Sequence, residues 1–136
     1  MSPSAELICI ELARVAEFWP HVRGMILGAI ERTGLSDAGD VEGSILRGGS
    51  LLWIAWNGKT IEAAASTEIM SIGARKVCVL VACGGRDRRR WLPMLRKLEI
   101  YAKAEGCSCV RIIGRRGWVR VLKSYAVKHV ILERPL

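Results

Sequence analysis

The chain has no C-x-x-C pair, only two histidines, and no apolar run of the roughly 18 residues that a membrane-spanning helix needs. Its first residues, MSPSAELICIEL, show no basic segment followed by an apolar stretch, so they do not read as a secretory leader. These absences argue for a cytoplasmic or virion setting and against secretion or membrane insertion. The five cysteines, Cys9, Cys78, Cys83, Cys107 and Cys109, are odd in number and lie in apolar runs, which argues against a disulfide framework. Cys107 and Cys109 would share one face of a strand, but His21 and His129 stand in no ligand motif. No metal site is expected, and the thiols read as buried and reduced. Acidic residues are scarce in the second half: residues 69–136 hold 4 Asp/Glu against 16 Lys/Arg, a balance of +12. Residues 1–68 hold 9 against 5, a balance of −4. Such a split suits a polyanionic partner for the second half, whether a phosphate-bearing cofactor, a nucleic acid or an acidic protein surface; a solvated basic face is the plainer alternative.

What is present is enough apolar material, 51% of 136 residues, for the core of one domain spanning 1–136, with no internal repeat or linker. Glu6 to Leu12 alternates weakly and reads as a first strand. Pro20 suits a first helical turn, where its missing N–H costs nothing, so a helix is expected from there to a stop at Gly34. Asp40 is placed to cap a second helix over Val41 to Arg47, closed by Gly48-Gly49. Three strands follow, Leu51 to Trp56, Thr60 to Met70 and Lys76 to Cys83. The first two are joined by Asn57-Gly58, whose residues tolerate positive φ. Gly84-Gly85 reads as the turn ending the third of these strands, and VCVLVAC within it is apolar on both faces, as in a central strand. Pro93 must lie in the first turn of the next helix, so that helix starts near Trp91 and ends near Gly106, with Trp91, Leu95, Leu98 and Ala102 on one face. Cys107 to Ile113 reads as a strand, Arg115 to Ser124 as a helix and Val127 to Glu133 as a closing strand. The fold class is α/β with a mixed sheet flanked by helices, in the order β-α-α-β-β-β-α-β-α-β, with a parallel crossover between residues 76 and 113.

This order, with the hairpin GSLLWIAWNGKTIEAAASTEI and the strand-loop-helix KVCVLVACGGRDRRRWLPMLRKLEIYAKAEGCSCVRI, resembles the GNAT superfamily of N-acetyltransferases. The chain is also similar to small phage-encoded GNAT-like sequences, including the element GRRGW. The resemblance implies an acyl-CoA-dependent N-acyltransferase using acetyl-CoA. Its pantetheine would lie against the strand ending at Cys83, with Arg86, Arg88, Arg89 and Arg90 near the phosphates. In the family the phosphate loop reads Arg/Gln-x-x-Gly-x-Gly/Ala, because a side chain would block close approach of the backbone to the pyrophosphate. Here Arg86 falls on the first position, while Arg89 and Trp91 replace the glycines, which would put an indole in the pyrophosphate seat and leave the arginine side chains to grip phosphate.

The family's general acid is a tyrosine five residues before the phenylalanine of a Gly-Phe pair. Ala126-Val127 takes that pair's place, so Leu122 falls on the tyrosine position and Tyr125 is the nearby candidate acid. A general base must deprotonate the acceptor amine. Glu62, Ala64, Ser66 and Glu68 share one strand face, and Glu68 is the candidate. Trp53 and Trp56 have opposite parity, so one could face outward; Trp91 and Trp118 adjoin arginines and could stack bases, anchor a protein or fill the core. The degenerate loop leaves a second expectation: a catalytically inactive GNAT-like phage structural or interaction protein. It would bind a protein or nucleic-acid partner, as in virion assembly, through its basic second half.

Overall fold

The computed structural model describes residues 5–114 and 116–136. Strands β1 (Glu6–Cys9), β2 (Leu51–Trp56), β3 (Ile61–Ile72), β4 (Arg75–Gly85) and β5 (Cys109–Ile112) form one mixed sheet in the order β1-β2-β3-β4-β5. The first four are antiparallel to their neighbours, and β5 runs parallel to β4, as the crossover pattern required. Helices α1 (Leu12–Thr33) and α2 (Ala38–Leu46) cover one face, packing Val22, Ile26 and Ile45 against Leu52, Ile54 and Ala64. The short α3 (Arg88–Trp91), a 3-10 turn at Leu92–Met94, α4 (Leu95–Ala104) and α5 (Gly117–Val121) belong to the other face. There Leu95, Leu98 and Leu122 meet Leu7, Trp53, Ala65 and Leu80. Among the described residues no helix is long and apolar enough to cross a membrane.

Several local expectations need correction. The first helix begins at Leu12, so Pro20 lies inside it. Its apolar stripe starts at Val15 and continues through Trp19, Val22, Ile26 and Ile30, and burial of that stripe outweighs the roughly 3 kcal/mol that an interior proline costs. Gly34 does end the helix, at φ 65° with its N–H on Ile30 O. The cap of α2 is Asp37, whose carboxylate accepts from Asp40 N at 3.0 Å; Asp40 is in the first turn. Pro93 breaks what would have been one helix into α3, the 3-10 turn and α4. The last helix is five residues long, and residue 115, its expected start, lies outside the described residues. Val127 to Glu133 forms no strand and stays exposed, because its apolar pattern has no paired neighbour to bury it. Trp53 and Trp56 both face inward on opposite sides of the sheet, since helices cover both faces. Cys78 is buried, but Cys9 and Cys109 are exposed, all five thiols are free, and Cys107 precedes its strand.

The layers on the α1 side are tied by Glu42 of α2. Its carboxylate accepts from Trp19 Nε1 at 2.6 Å and from Arg23 Nε at 2.9 Å, both on α1. The Arg23 hydrogen bond, then that of Trp19, holds the Glu42 carboxyl below its ordinary value. A depressed carboxyl contributes stability that is present above its unfolded pKa, about 4.3, and is lost as pH falls through the lower folded value. Thermal unfolding followed from pH 7 to pH 3 should therefore show a smaller acid-induced loss of Tm in Glu42→Gln than in the wild type; equal losses would show that this contact carries no pH-dependent stability.

A candidate anion-binding cleft between two parted strands

β4 and β5 pair only from Val77 with Cys109 to Leu80 with Ile112, and β4 then continues alone on that side to Gly85. Opposite Ser66 and Thr67 the register of β4 shifts: Ser66 pairs with Ala82 and Thr67 with Leu80, leaving Val81 as an extra residue. A bulge bends a strand and increases its twist, which turns the end of β4 away from β5. Gly84 and Gly85 were expected to form a turn; they are strand residues paired with Ala64 and Ala63. Both are glycine because of close approach. A Cβ on Gly84 would collide with the backbone oxygen of Met25 in α1, and one on Gly85 would stand 2.5 Å from Glu62 O and from Ala63 Cβ.

The gap left by the parting strands is a cleft of about 580 Å³. Its walls are β4 from Leu80 to Gly85, the end of β5 with Gly114, the last turn of α1, and the starts of α3 and α5. Elements from both faces of the sheet line it, α1 from one and α3 and α5 from the other. Among the described residues Arg32, Arg88 and Arg116 line it, and no Asp, Glu or His does. Arg88 Nη1 reaches to 3.9 Å from where a Gly117 Cβ would be, so α3 and α5 meet across the mouth. Trp118 lies directly on Gly114: a Cβ there would stand 2.7 Å from its Cδ1. An acid-free lining of three arginines favours anions.

The candidate residues are distributed as follows. Cys83 and Arg88 line the cleft, whereas Arg86, Arg89 and Arg90 do not. Burial pushes the Cys83 thiol up to about 12, so it is a neutral wall rather than a nucleophile. Arg89 is exposed and pairs with Asp87 at 3.2 Å. Arg90 pairs with Glu62 at 2.7 Å. The second register shift explains that pair: Ala55 faces Ala63 and Trp56 faces Ile61, so Glu62 is bulged out of the alternation that would have aligned it with Ala64, Ser66 and Glu68. Trp91 is 7% exposed and packs with Ala55 and Ala63, its indole N–H donating to Arg86 O at 2.8 Å. It closes the arginine loop on itself and forms part of the cleft wall, beside Trp118 at 6.0 Å, rather than filling the cleft.

Glu68 faces α2, accepting from Ser50 Oγ at 3.3 Å, and that serine meets Ser44 Oγ at 2.8 Å. Glu68 pairs with Val79, one residue short of Leu80 where the cleft begins, but is not among the residues that line the cleft. Tyr125 donates its phenol proton to Glu99 of α4 at 2.8 Å. Burial and then that carboxylate push its pKa well above the ordinary tyrosine value. Leu122, at the family's tyrosine position, is a buried core residue. The residues that sequence reasoning missed are Arg32 and Arg116. Arg116 lies in GRRGW and carried a signal; Arg32 is one of many charges on α1, and only the packing of α1 on Gly84 brings it to the cleft. Among the described residues no group of three His, Cys, Asp or Glu is placed to hold a metal ion.

No protein-family model matches the chain, and neither does any curated protein. Solved structures do. A putative acetyl transferase from Pyrococcus furiosus superposes with a TM-score of 0.72 at 15% identity, over 98% of this chain and 100% of that one. Glucosamine-6-phosphate N-acetyltransferase from Arabidopsis thaliana gives 0.66 at 13%, over 97% and 98%. A GNAT family acetyltransferase from Staphylococcus aureus gives 0.66 at 10%, over 98% and 99%. At such identities the likeness establishes a shared fold, the GNAT fold, over nearly the whole chain.

The Tyr125–Glu99 contact reads as a strut between α4 and the tail of the chain. Tyr125→Phe should lower unfolding free energy by about 1 kcal/mol, the ordinary net worth of one hydrogen bond, in a denaturant titration. A loss of ligand binding at the cleft with no loss of stability would instead give the phenol a direct role there.

Proposed function

We propose that the cleft between β4 and β5 takes an acyl-CoA, and that the chain is an acyl-CoA-dependent N-acyltransferase that works by positioning its substrates. The observation that supports this most is the meeting of an unpaired strand end, Val81 to Gly85, with an acid-free arginine lining, in the fold shared with the acetyltransferases above. The residues suit the group. The free edge of β4 offers backbone N–H and C=O to an amide-bearing arm, and Arg88 and Arg116 suit phosphates, which guanidinium groups bind in bidentate fashion. Four-residue α3 is too short for a helix-start phosphate seat, and both nearby glycines are committed to packing, so side chains would hold the phosphates. Arg86, exposed on the adjoining loop, adds to the attraction.

When bound, a thioester supplies the acyl carbon on which an amine forms the amide C–N bond while the C–S bond breaks, the sulfur leaving as thiolate and the amine proton passing to solvent. The chain's share is proximity and orientation, because no acid or base among the described residues lines the cleft. That same lack favours a second reading, an inactive interaction protein of the kind found in virions, whose basic second half meets a protein or nucleic-acid partner.

Calorimetry with acetyl-CoA separates the two. The transferase reading expects micromolar binding by the wild type, about tenfold weaker binding by Arg88→Ala through loss of one charge-assisted contact, and unchanged binding by Arg89→Ala. No binding by the wild type sinks it and leaves the interaction reading.

A further inference from the structure

The cleft is lined from both faces of the sheet, and its cations are divided between them. Arg88 and Arg116 stand on the α3–α5 side, with Arg86 and Arg89 exposed near by. On the α1 side there is one charged lining residue among the described residues, Arg32, accompanied by Ala29 and Thr33. Thr33 Oγ1 is spent within its own helix end, donating to Ile30 O at 3.1 Å and accepting from Leu35 N at 3.4 Å. Arg32 Nη2 comes to 3.5 Å from where a Cβ of Gly84 would be, so the guanidinium lies beside the end of β4. It has no carboxylate partner among the described residues. A basic residue in a last helical turn complements the helix dipole wherever it points. Here it also lines the cleft beside the unpaired end of β4.

A polyphosphate donor needs several cations, and these are together on the α3–α5 side. Its reacting end must then reach into the notch, and an acceptor has to approach from the opposite face, past Arg32. We propose that the acceptor is an amine that also carries an oxyanion, a carboxylate or a phosphate, and that Arg32 reads that group; the inference rests on the transferase reading above. A guanidinium in a cleft without acids discriminates by attraction, and because it forms a fork it also orients the bound oxyanion, turning the amine toward the notch.

The test compares matched acceptors, O-phosphoethanolamine with ethanolamine and β-alanine with β-alaninamide, by release of free thiol from acetyl-CoA. The wild type should favour the anionic member of each pair at least tenfold in kcat/KM. Arg32→Ala should bring that ratio close to one, Arg32→Lys should restore part of it, and acetyl-CoA affinity measured by calorimetry should not change in either. An unchanged ratio in Arg32→Ala, or neutral amines serving as well in the wild type, overturns the inference while leaving the transferase reading intact. Should the wild type bind no acetyl-CoA, the transferase reading fails by itself. Arg32 is then judged by direct titration with O-phosphoethanolamine: binding lost in Arg32→Ala supports an oxyanion site, and no binding overturns it.

Discussion

The parting of β4 from β5 after Leu80 is the constraint on which the site depends. Pairing on that side stops after four residues, and β4 goes on for five more with only β3 beside it. Two local features make the parting possible. The extra residue at Val81 bends the strand, and glycine at 84 and 85 lets the bent end lie flat against the backbone of α1 and of β3. An unpaired backbone edge is costly if buried dry and harmless if it faces water or a ligand. The cleft meets that requirement.

The arginine run after β4 is divided by what each side chain touches. Arg90 is tied to Glu62, which a bulge in β3 re-aims toward it, and Arg89 is tied to Asp87. Trp91 holds the loop through Arg86 O and packs into the core below. Asp87 takes φ 22°, the one described non-glycine residue with positive φ, so the loop turns sharply enough to bring Arg88 to the cleft. The basic charge of the second half is therefore only partly committed to the site, and the cation on the far face comes from the acidic first half of the chain.

Much of the architecture was legible from periodicity. The three central strands, the Asn57-Gly58 turn and the buried face of α4 all follow from residue spacing and turn chemistry. What failed depended on contacts between distant residues. Pro20 is tolerated because Val15 and Trp19 extend the buried stripe ahead of it. Gly84-Gly85 looks like a turn in sequence, and only the nearness of Met25 and Ala63 shows that it is strand. Val127 to Glu133 has the composition of a strand, and composition says nothing of whether an edge is there to receive it. At the site, Cys83 and Arg88 were reachable from the loop's resemblance, whereas Glu68 stands beside the inner end of the cleft but is engaged by Ser50, a contact that strand parity does not reveal.

As the proposed floor of an acyl-CoA site, the unpaired end of β4 should be shielded when the ligand binds. Amide hydrogen exchange measured with and without acetyl-CoA tests this at the residues concerned. Slower exchange is expected across Val81 to Gly85 and at Gly114 and Trp118 when acetyl-CoA is present. Unchanged exchange across Val81 to Gly85, alone or with protection elsewhere in the chain, would contradict it.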